Sequence, residues 1–427
     1  MKIWSRRGRT VTAWAFYDFA NSAFTTLIVT FIYATYFTQG IAENATLGTS
    51  QWALAVTVTA IAVAVLSPYL GAIADQYGLR QRFLLVSTAV AIAGSVLLFF
   101  PGEGQVLVAL VIFTIANIAF EMSNVFYNAY LPDIAAQGQL GRVSGFGWGL
   151  GYAGGLLCLV AALFGLVQAE PPILGFSTAD GEHIRATNLL VAAWYAVFAI
   201  PLFLCVRGRQ PRRVEILRSV VRRANAQLRS TFGDIRARYT HLLRFLVARL
   251  VYNDGLITLF AFGGIYAAGT FGFSTEDVII FGIALNVTAG LGALLFGFLD
   301  DRIGGKATTL VSLGGLIAFG TLGILAPDAA WFWVAGLGAG MMVGPNQSAS
   351  RSLMGRFVPP EKKNEFFGFY AFSGKATSFL GPLLLGQVTL WTGSQRAGMA
   401  TIIVFFVIGM VLLFRVHEHE GVAAATS

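Results

Sequence analysis

The sequence predicts an all-α membrane protein of twelve spanning helices. Three observations carry this. The chain is 56% hydrophobic and only 12% charged, where a soluble globular chain carries about 25% charged residues. Its mean hydropathy is +0.70. Its apolar residues also gather into segments matching the ~20 residues a helix needs to cross the hydrocarbon core. The 49 glycines agree with this, since small residues let helices approach closely in lipid.

The first segment, 12–38, contains "WAFYDFANSAF", which sets Asp18, Asn21, Ser22 and Thr25 on one stripe of an apolar helix. The second, 50–74, runs into "GAIADQYGLRQR", and the third, 83–101, stops at the turn "PGEGQ". The fourth, 105–131, carries Asn117, Glu121, Asn124 and Asn128 at spacings of four, three and four, again one face. In the fifth, 143–168, Gly147, Gly151 and Gly155 recur every four residues as a close-contact face. The sixth is 187–206. The seventh, 243–270, holds Asn253, Asp254 and Thr258. The eighth, 276–299, lies between the turn "GFSTED" and "GFLDDRIGGK", and the ninth, 307–326, ends at "APDAA". The tenth, 329–355, carries Asn346, Gln347 and Ser350 behind Gly344-Pro345, which reads as a break. The eleventh, 364–391, contains Lys375, and the twelfth is 396–415.

Lysine and arginine set the orientation. Only Arg185 and Arg396 fall in connections after odd-numbered helices, and Lys375 falls inside a span. The rest lie at the termini, in connections after even-numbered helices, or at helix ends adjoining them. The positive-inside rule puts those connections and both termini in the cytoplasm. It also accounts for the net charge of +8 without a nucleic-acid partner. The longest such connection, 207–242, repeats Val214, Leu217, Val221, Leu228, Ile235 and Leu242 at helical spacing with arginines on the other faces. That is a basic amphipathic helix suited to anionic lipids at the inner leaflet.

The connections after helices 2 and 8 repeat one another. Gly71, Asp75, Gly78 and Arg80 match Gly297, Asp301, Gly304 and Lys306, all at an offset of 226 residues. Fainter echoes join Gly145-Phe146 to Gly368-Phe369, and "FYDF" to "VYNDGL". The chain therefore divides into a six-helix half at 1–206, the linker at 207–242, and a second, parallel half at 243–427. Parallel six-helix halves are the major facilitator architecture.

The motif G-x-x-x-D-(R/K)-x-G-(R/K)-(R/K) resembles the signature of the major facilitator superfamily. The second copy keeps Asp301-Arg302 but has Gly305 at a basic position; the first has Gln76 and Leu79, leaving Arg80 and Arg82. Within the superfamily, "WAFYDFANSAF", "LVYNDGLITLFAFGGIYAAG" and "YNAYLPDIA" resemble the UMF family, bacterial relatives of the fungal vacuolar amino-acid effluxers of autophagy. The resemblance implies a secondary transporter with amino acids as one substrate class. It implies that Asp75 meets the start of helix 11 near Asn364, and that Arg80 or Arg82 meets Asp133. Asp75, Arg80, Asp133, Asp301 and Arg302 are then gating residues. It also implies that helices 1, 4, 7 and 10 line a central cavity.

An ionised group in lipid costs at least ~2.5–3.5 kcal/mol, so Asp18, Glu121, Asp254 and Lys375 are expected to face a cavity or a partner. Two carboxylates at similar depth, Asp18 and Glu121, make protonation near neutral pH accessible. Lys375 suits an anionic group, and Asn21, Asn117, Asn124, Asn253 and Gln347 complete a polar lining. The expected solute is small and polar or zwitterionic, with protons as a coupling partner. Export of amphiphilic compounds or lipids, and a transport-dead receptor or scaffold, remain open. Arg249 and Arg351 are expected to snorkel to the interface, and Trp14, Trp52, Trp194 and Trp331 to anchor span ends.

No enzymatic motif is present: no GxSxG, HExxH, Walker A or dinucleotide fingerprint occurs. No cofactor or metal is expected. Cys158 and Cys205 read as small buried apolar residues. The tail "VHEHE", with His417 and His419, reads as solvated. The basic start followed by a long apolar run argues against a cleavable signal peptide.

Overall fold

A computed structural model describes residues 6–136, 138–206 and 217–426. All twelve expected segments form helices, and the described residues contain no strand. They are α1 (Arg7–Ile41), α2 (Ala45–Tyr77), α3 (Arg80–Leu97), α4 (Val106–Ile134), α5 (Leu140–Val167) and α6 (Glu182–Cys205). Then come α7 (Thr240–Phe271), α8 (Thr275–Ile303), α9 (Gly305–Leu325) and α10 (Ala329–Phe357). Helix α11 comes in two pieces, Lys363–Lys375 and Leu380–Thr392, and α12 is Gln395–Phe414. A linker helix (Leu217–Ala237) precedes α7, and a tail helix (Glu418–Thr426) follows α12.

Among the described residues, nine helices are long and apolar enough to cross a membrane. The three outside that set each show why. Helix α3 is 18 residues long and opens on Arg80-Gln81-Arg82. Helix α10 is apolar at first and polar from Asn346 to Ser352. Helix α11 is interrupted at 376–379.

The turns follow from local chemistry. Gly272, at φ +70°, ends α7, and a reciprocal capping box between Ser274 and Asp277 starts α8. The Asp328 carboxylate accepts from Trp331 N at 3.0 Å and starts α10. The Gly344-Pro345 pair does not break α10, contrary to expectation. The helix runs through Pro345, and Gly344 lies so close to α8 that an added Cβ would meet Ala289 O at 1.9 Å. Close helix crossing, not a kink, is what this glycine serves. The unforeseen break is in α11, where Leu380 N tightens onto Thr377 O (2.8 Å) and Ser378 Oγ turns back to Lys375 O (3.1 Å). Such local side-chain bonds compete with the helical ladder.

The described chain forms two compact units. Unit 1 comprises Met1–Val63, Gly78–Tyr127 and Leu150–Pro211; unit 2 comprises Ala64–Tyr77, Asn128–Gly149 and Arg212–Ser427. Unit 1 is centred on aromatic rings. Trp14 is fully buried, stacks on Tyr127 at 4.6 Å and donates Nε1–H to Tyr127 O. It is therefore a core residue, not the expected interfacial anchor. Trp52 stacks on Phe113 at 3.9 Å, and Trp194 donates to Phe19 O; Trp331 remains half exposed. Gly151 and Gly155 of α5 lie close against a neighbour, which is α1: a Cβ on Gly151 would meet Ser22 Oγ at 2.9 Å, and one on Gly155 would meet Thr26 Oγ1 at 2.5 Å. Cys158 is buried, but Cys205 is exposed beside Leu204 at the end of α6, against expectation.

Unit 2 holds α7–α12 together with the ends of α2 and α4 and the start of α5. A second small-residue face of α5 packs here: Gly141 and Gly145 lie against Asp300 and Ala293 of α8. The linker helix buries Val220, Ala224, Thr231 and Ile235 against protein and leaves Arg222, Arg229 and Arg236 exposed. Val214 of the expected pattern lies outside the described residues, and Leu217 and Val221 are described in backbone only.

Candidate functional site

The repeated motif builds two carboxylate caps, both within unit 2. In the first, Gly71 lets α2 run against the start of α11; an added Cβ would meet Asn364 O at 2.4 Å. One turn on, Asp75 Oδ1 accepts from Asn364 Nδ2 (2.6 Å) and Asn364 N (3.2 Å), while Oδ2 accepts from Glu365 N (2.8 Å). These are otherwise unsatisfied donors at the start of the first α11 piece. A carboxylate there also meets the positive end of the helix dipole, worth about 0.3–1 kcal/mol exposed and up to ~2 when partly buried. Gly78, at φ +67°, then turns the chain out of α2.

The second copy repeats each part. Gly297 sits where a Cβ would meet Gly141 O at 3.0 Å. Asp301 Oδ1 accepts from Gly141 N (2.8 Å) at the start of α5, and Oδ2 takes Arg142 Nε at 2.5 Å. Gly304, at φ +92°, ends α8.

The caps are braced differently. At the first, Gln227 of the linker helix donates to Glu365 Oε2 (2.6 Å) and accepts from Gln76 Nε2 (2.5 Å). Gln76 thus occupies a basic motif position with a neutral contact. Lys362 holds the same helix through Thr231 and Asp234, at 3.0 Å each. At the second, fully buried Asp300 pairs with Arg356 Nη2 (2.6 Å), and Arg356 Nη1 reaches Glu418 of the tail (2.7 Å). Glu418 also accepts from Gly305 N and Lys306 N, capping α9. The tail is therefore helical and docked through Glu418, not the solvated tail expected, because these donors need an acceptor.

Of the other expected gating residues, Asp133 forms an ion pair with Lys363, which the sequence reading passed over. Arg80 opens α3, half-buried, in unit 1, and Arg82 is exposed there. Arg302 is exposed at the end of α8, where a cation suits the helix C-terminus; Arg142 and Arg356 supply the cations at the second copy.

In unit 1 the expected polar residues lie on α1 and α4. Asp18, Asn21 and Asn117 are buried, Glu121 and Asn124 half-buried. Asn21 Nδ2 donates to Asn124 Oδ1 at 2.9 Å. In the same unit Tyr17 OH joins Thr88 (2.6 Å) and Tyr195 (2.9 Å), a network the sequence reading missed.

In unit 2 the polar groups gather at the α11 break. Lys375 is the last residue before it. Asn253 Nδ2 donates to Gly374 O (2.9 Å), and Arg249 Nη1 donates to Tyr370 O (2.6 Å) and Ser373 Oγ (2.9 Å). Asp254 is buried, and Thr377 Oγ1 donates to Leu250 O of α7 at 3.5 Å. Gln347 is half-buried on α10; Asn346 donates to Ser312, and Ser350 meets Tyr252. The sequence reading sends Arg249 and Arg351 to the interface, but both turn inward. Arg249 lies 3.6 Å over the Tyr370 ring. Arg351 is 2% exposed and donates to Ser144 Oγ, Ser144 O and Asn128 Oδ1. Protein acceptors within reach outcompete the longer path to a helix end.

The family model described as "Vacuole effluxer Atg22 like" matches residues 48–141 and 136–426. The chain is 28% identical over 412 residues to the uncharacterized MFS-type transporter YxiO of Bacillus subtilis, covering 96% of this chain and 95% of that one. It is 24% identical over 298 residues to autophagy-related protein 22 of Cryptococcus neoformans, covering 66% of this chain and 53% of the relative. The chain thus spans about half the length of that fungal relative. In fold it is similar to the human organic anion transporter MFSD10, with a TM-score of 0.73 at 14% identity over 95% of this chain and 99% of that one. It is likewise similar to the proton:xylose symporter XylE, with a TM-score of 0.71 at 12% identity over 96% and 94% of the two chains. The fold is the all-α major facilitator fold of a multi-pass membrane transporter, and the chain belongs to the Atg22-like family.

Proposed function

We propose that the protein moves a small zwitterionic solute, an amino acid, across the bacterial inner membrane by proton-coupled alternating access. The observation that supports this most is the twinned carboxylate cap. A carboxylate seated on the N-terminus of another helix is a contact that is either made or broken, as a two-state gate requires. In this reading Asp75 and Asp301 are latches, with Asp133, Arg80 and Arg302 assisting. Both termini and the latches face the cytoplasm. The halves are 1–206 and 243–427, and the arginine face of the 207–242 linker rests on anionic lipid.

Substrate chemistry follows from charge type. Lys375, at the α11 break, takes the acidic group. Glu121, with Asp18, takes the amine or a proton; Asn21, Asn117, Asn124, Asn253, Asp254 and Gln347 supply neutral and acidic contacts. Intramembrane ionisable groups are costly enough that a substrate role is their default reading. The test is counterflow in proteoliposomes with labelled amino acids, peptides, sugars and nucleosides. Amino-acid counterflow is expected, lost in Lys375→Ala and made insensitive to pH in Glu121→Gln. No counterflow with any of these solutes contradicts transport; normal counterflow in Lys375→Ala contradicts the zwitterion.

A further inference from the structure

Away from both caps, two histidines and a glutamate meet where the tail joins α7. His241 lies in the first turn of α7, with a side chain 13% exposed. His417 immediately precedes the tail helix, and Glu420 lies in its first turn. Glu420 spans the two rings. Its Oε2 is 2.8 Å from His241 Nε2, and its Oε1 is 3.2 Å from His417 Nδ1. The rings are 5.0 Å apart. One donor atom from each residue lies within 4.8 Å of the other two.

We propose that His241, His417 and Glu420 bind a divalent transition-metal ion of the zinc type, which pins the tail to α7. Zinc ligands sit about 2.0–2.2 Å from the ion, so tetrahedral donors lie roughly 3.3 Å apart. Here two pairs already stand at 2.8 and 3.2 Å. Two imidazoles and one carboxylate are the donor set of borderline ions; magnesium and calcium prefer oxygen alone. Loading has one local cost. His417 N–H now donates to His241 Nδ1 at 3.0 Å, which leaves Nε2 carrying the ring proton. For Nε2 to ligate, that proton moves to Nδ1 and the exposed His417 N–H turns to water. His417 and Glu420 flank Glu418, whose carboxylate caps α9 and holds Arg356. An ion there therefore also secures the brace of the second cap.

The test is calorimetric titration of zinc chloride into the full chain, purified in detergent without a polyhistidine tag. One zinc per chain is expected, with no matching response to magnesium. His241→Ala and His417→Ala should each weaken binding at least about tenfold. Glu420→Gln, a near-isosteric change on an exposed side chain, should weaken it without disturbing the fold, and His419→Ala should leave it unchanged. Zinc bound equally well by His241→Ala and Glu420→Gln, or no better than magnesium by the native chain, overturns the site.

Discussion

The two carboxylate caps share a motif, an offset and a geometry, yet differ in what holds them. Asp75 meets neutral donors only: two backbone amides and the Asn364 side chain. Asp301 meets one amide and the guanidinium of Arg142. The first cap is braced by the linker helix through neutral Gln227 and the partly exposed Lys362–Asp234 pair, the second by the buried Asp300–Arg356–Glu418 chain. The same position in a repeat can thus make one contact that parts at low cost and one that is tied by charge. The expectation is that the first cap is the moving one and the second the firmer.

The largest effect should come from the second brace. Asp300→Asn leaves Glu418 as the acid paired with Arg356. Removing one partner of a buried pair costs about 3–5 kcal/mol, and the retained Glu418 puts this case near the lower end. Thermal unfolding in detergent should show a clear loss, partly recovered in Asp300→Asn/Arg356→Met, where no cation is stranded. Equal stability of Asp300→Asn and the native chain breaks the contrast between the braces.

Next comes a direct comparison of the two crossings. Gly71→Ala drives a Cβ to within 2.4 Å of a backbone oxygen, whereas Gly297→Ala meets its nearest atom at 3.0 Å. Overpacking of this kind costs about 1–3 kcal/mol. Gly71→Ala should therefore impair transport more than Gly297→Ala, in initial-rate measurements on proteoliposomes. The reverse order would show that the α5 crossing is the tighter one.

A smaller effect separates the caps by salt. The Arg142 side chain is 39% exposed, so its attraction to Asp301 is screened and worth at most about 1 kcal/mol. The stability difference between Asp301→Asn and the native chain should shrink as salt rises, while that for Asp75→Asn should not. Last is Gln227→Ala, which removes the hydrogen bonds to Glu365 and from Gln76, about 1 kcal/mol each. It should loosen the first cap alone, read as faster hydrogen exchange at the start of α11 with none at the start of α5.

Much of this was legible in the sequence because repeats expose themselves at a fixed offset. Gly71, Asp75 and Gly78, with their partners 226 residues on, needed no structure. What stayed hidden was whatever depended on long-range partners. Nothing local to Lys363 points to Asp133, and nothing local to Arg356 points to Asp300 and Glu418. Trp14 looked like an interfacial anchor because it lies near a span end, but stacking on Tyr127 decided its place. Pro345 looked like a break because proline removes a donor, yet the close α8–α10 crossing keeps the helix whole. The real break, after Lys375, lies in "GKATS", whose Ser378 side chain bonds back to Lys375 O. The polar stripes of α1 and α4 were plain from spacing alone; which of their groups would bond to each other, such as Asn21 to Asn124, was not.

The central claim, that the Asp75 cap holds one side of the transporter shut, is tested most directly by labelling a cysteine placed behind it. Ser67 is fully buried and donates to Gly368 O at 2.9 Å, beside the α2–α11 crossing. Ser67→Cys, in a background of Cys158→Ser and Cys205→Ser, can be reacted with a membrane-impermeant maleimide with and without Asp75→Asn. Losing about 1 kcal/mol from the closed state should speed labelling about fivefold, since 1.4 kcal/mol is a factor of ten. Equal labelling rates with Asp75 and with Asn at position 75 would contradict the latch.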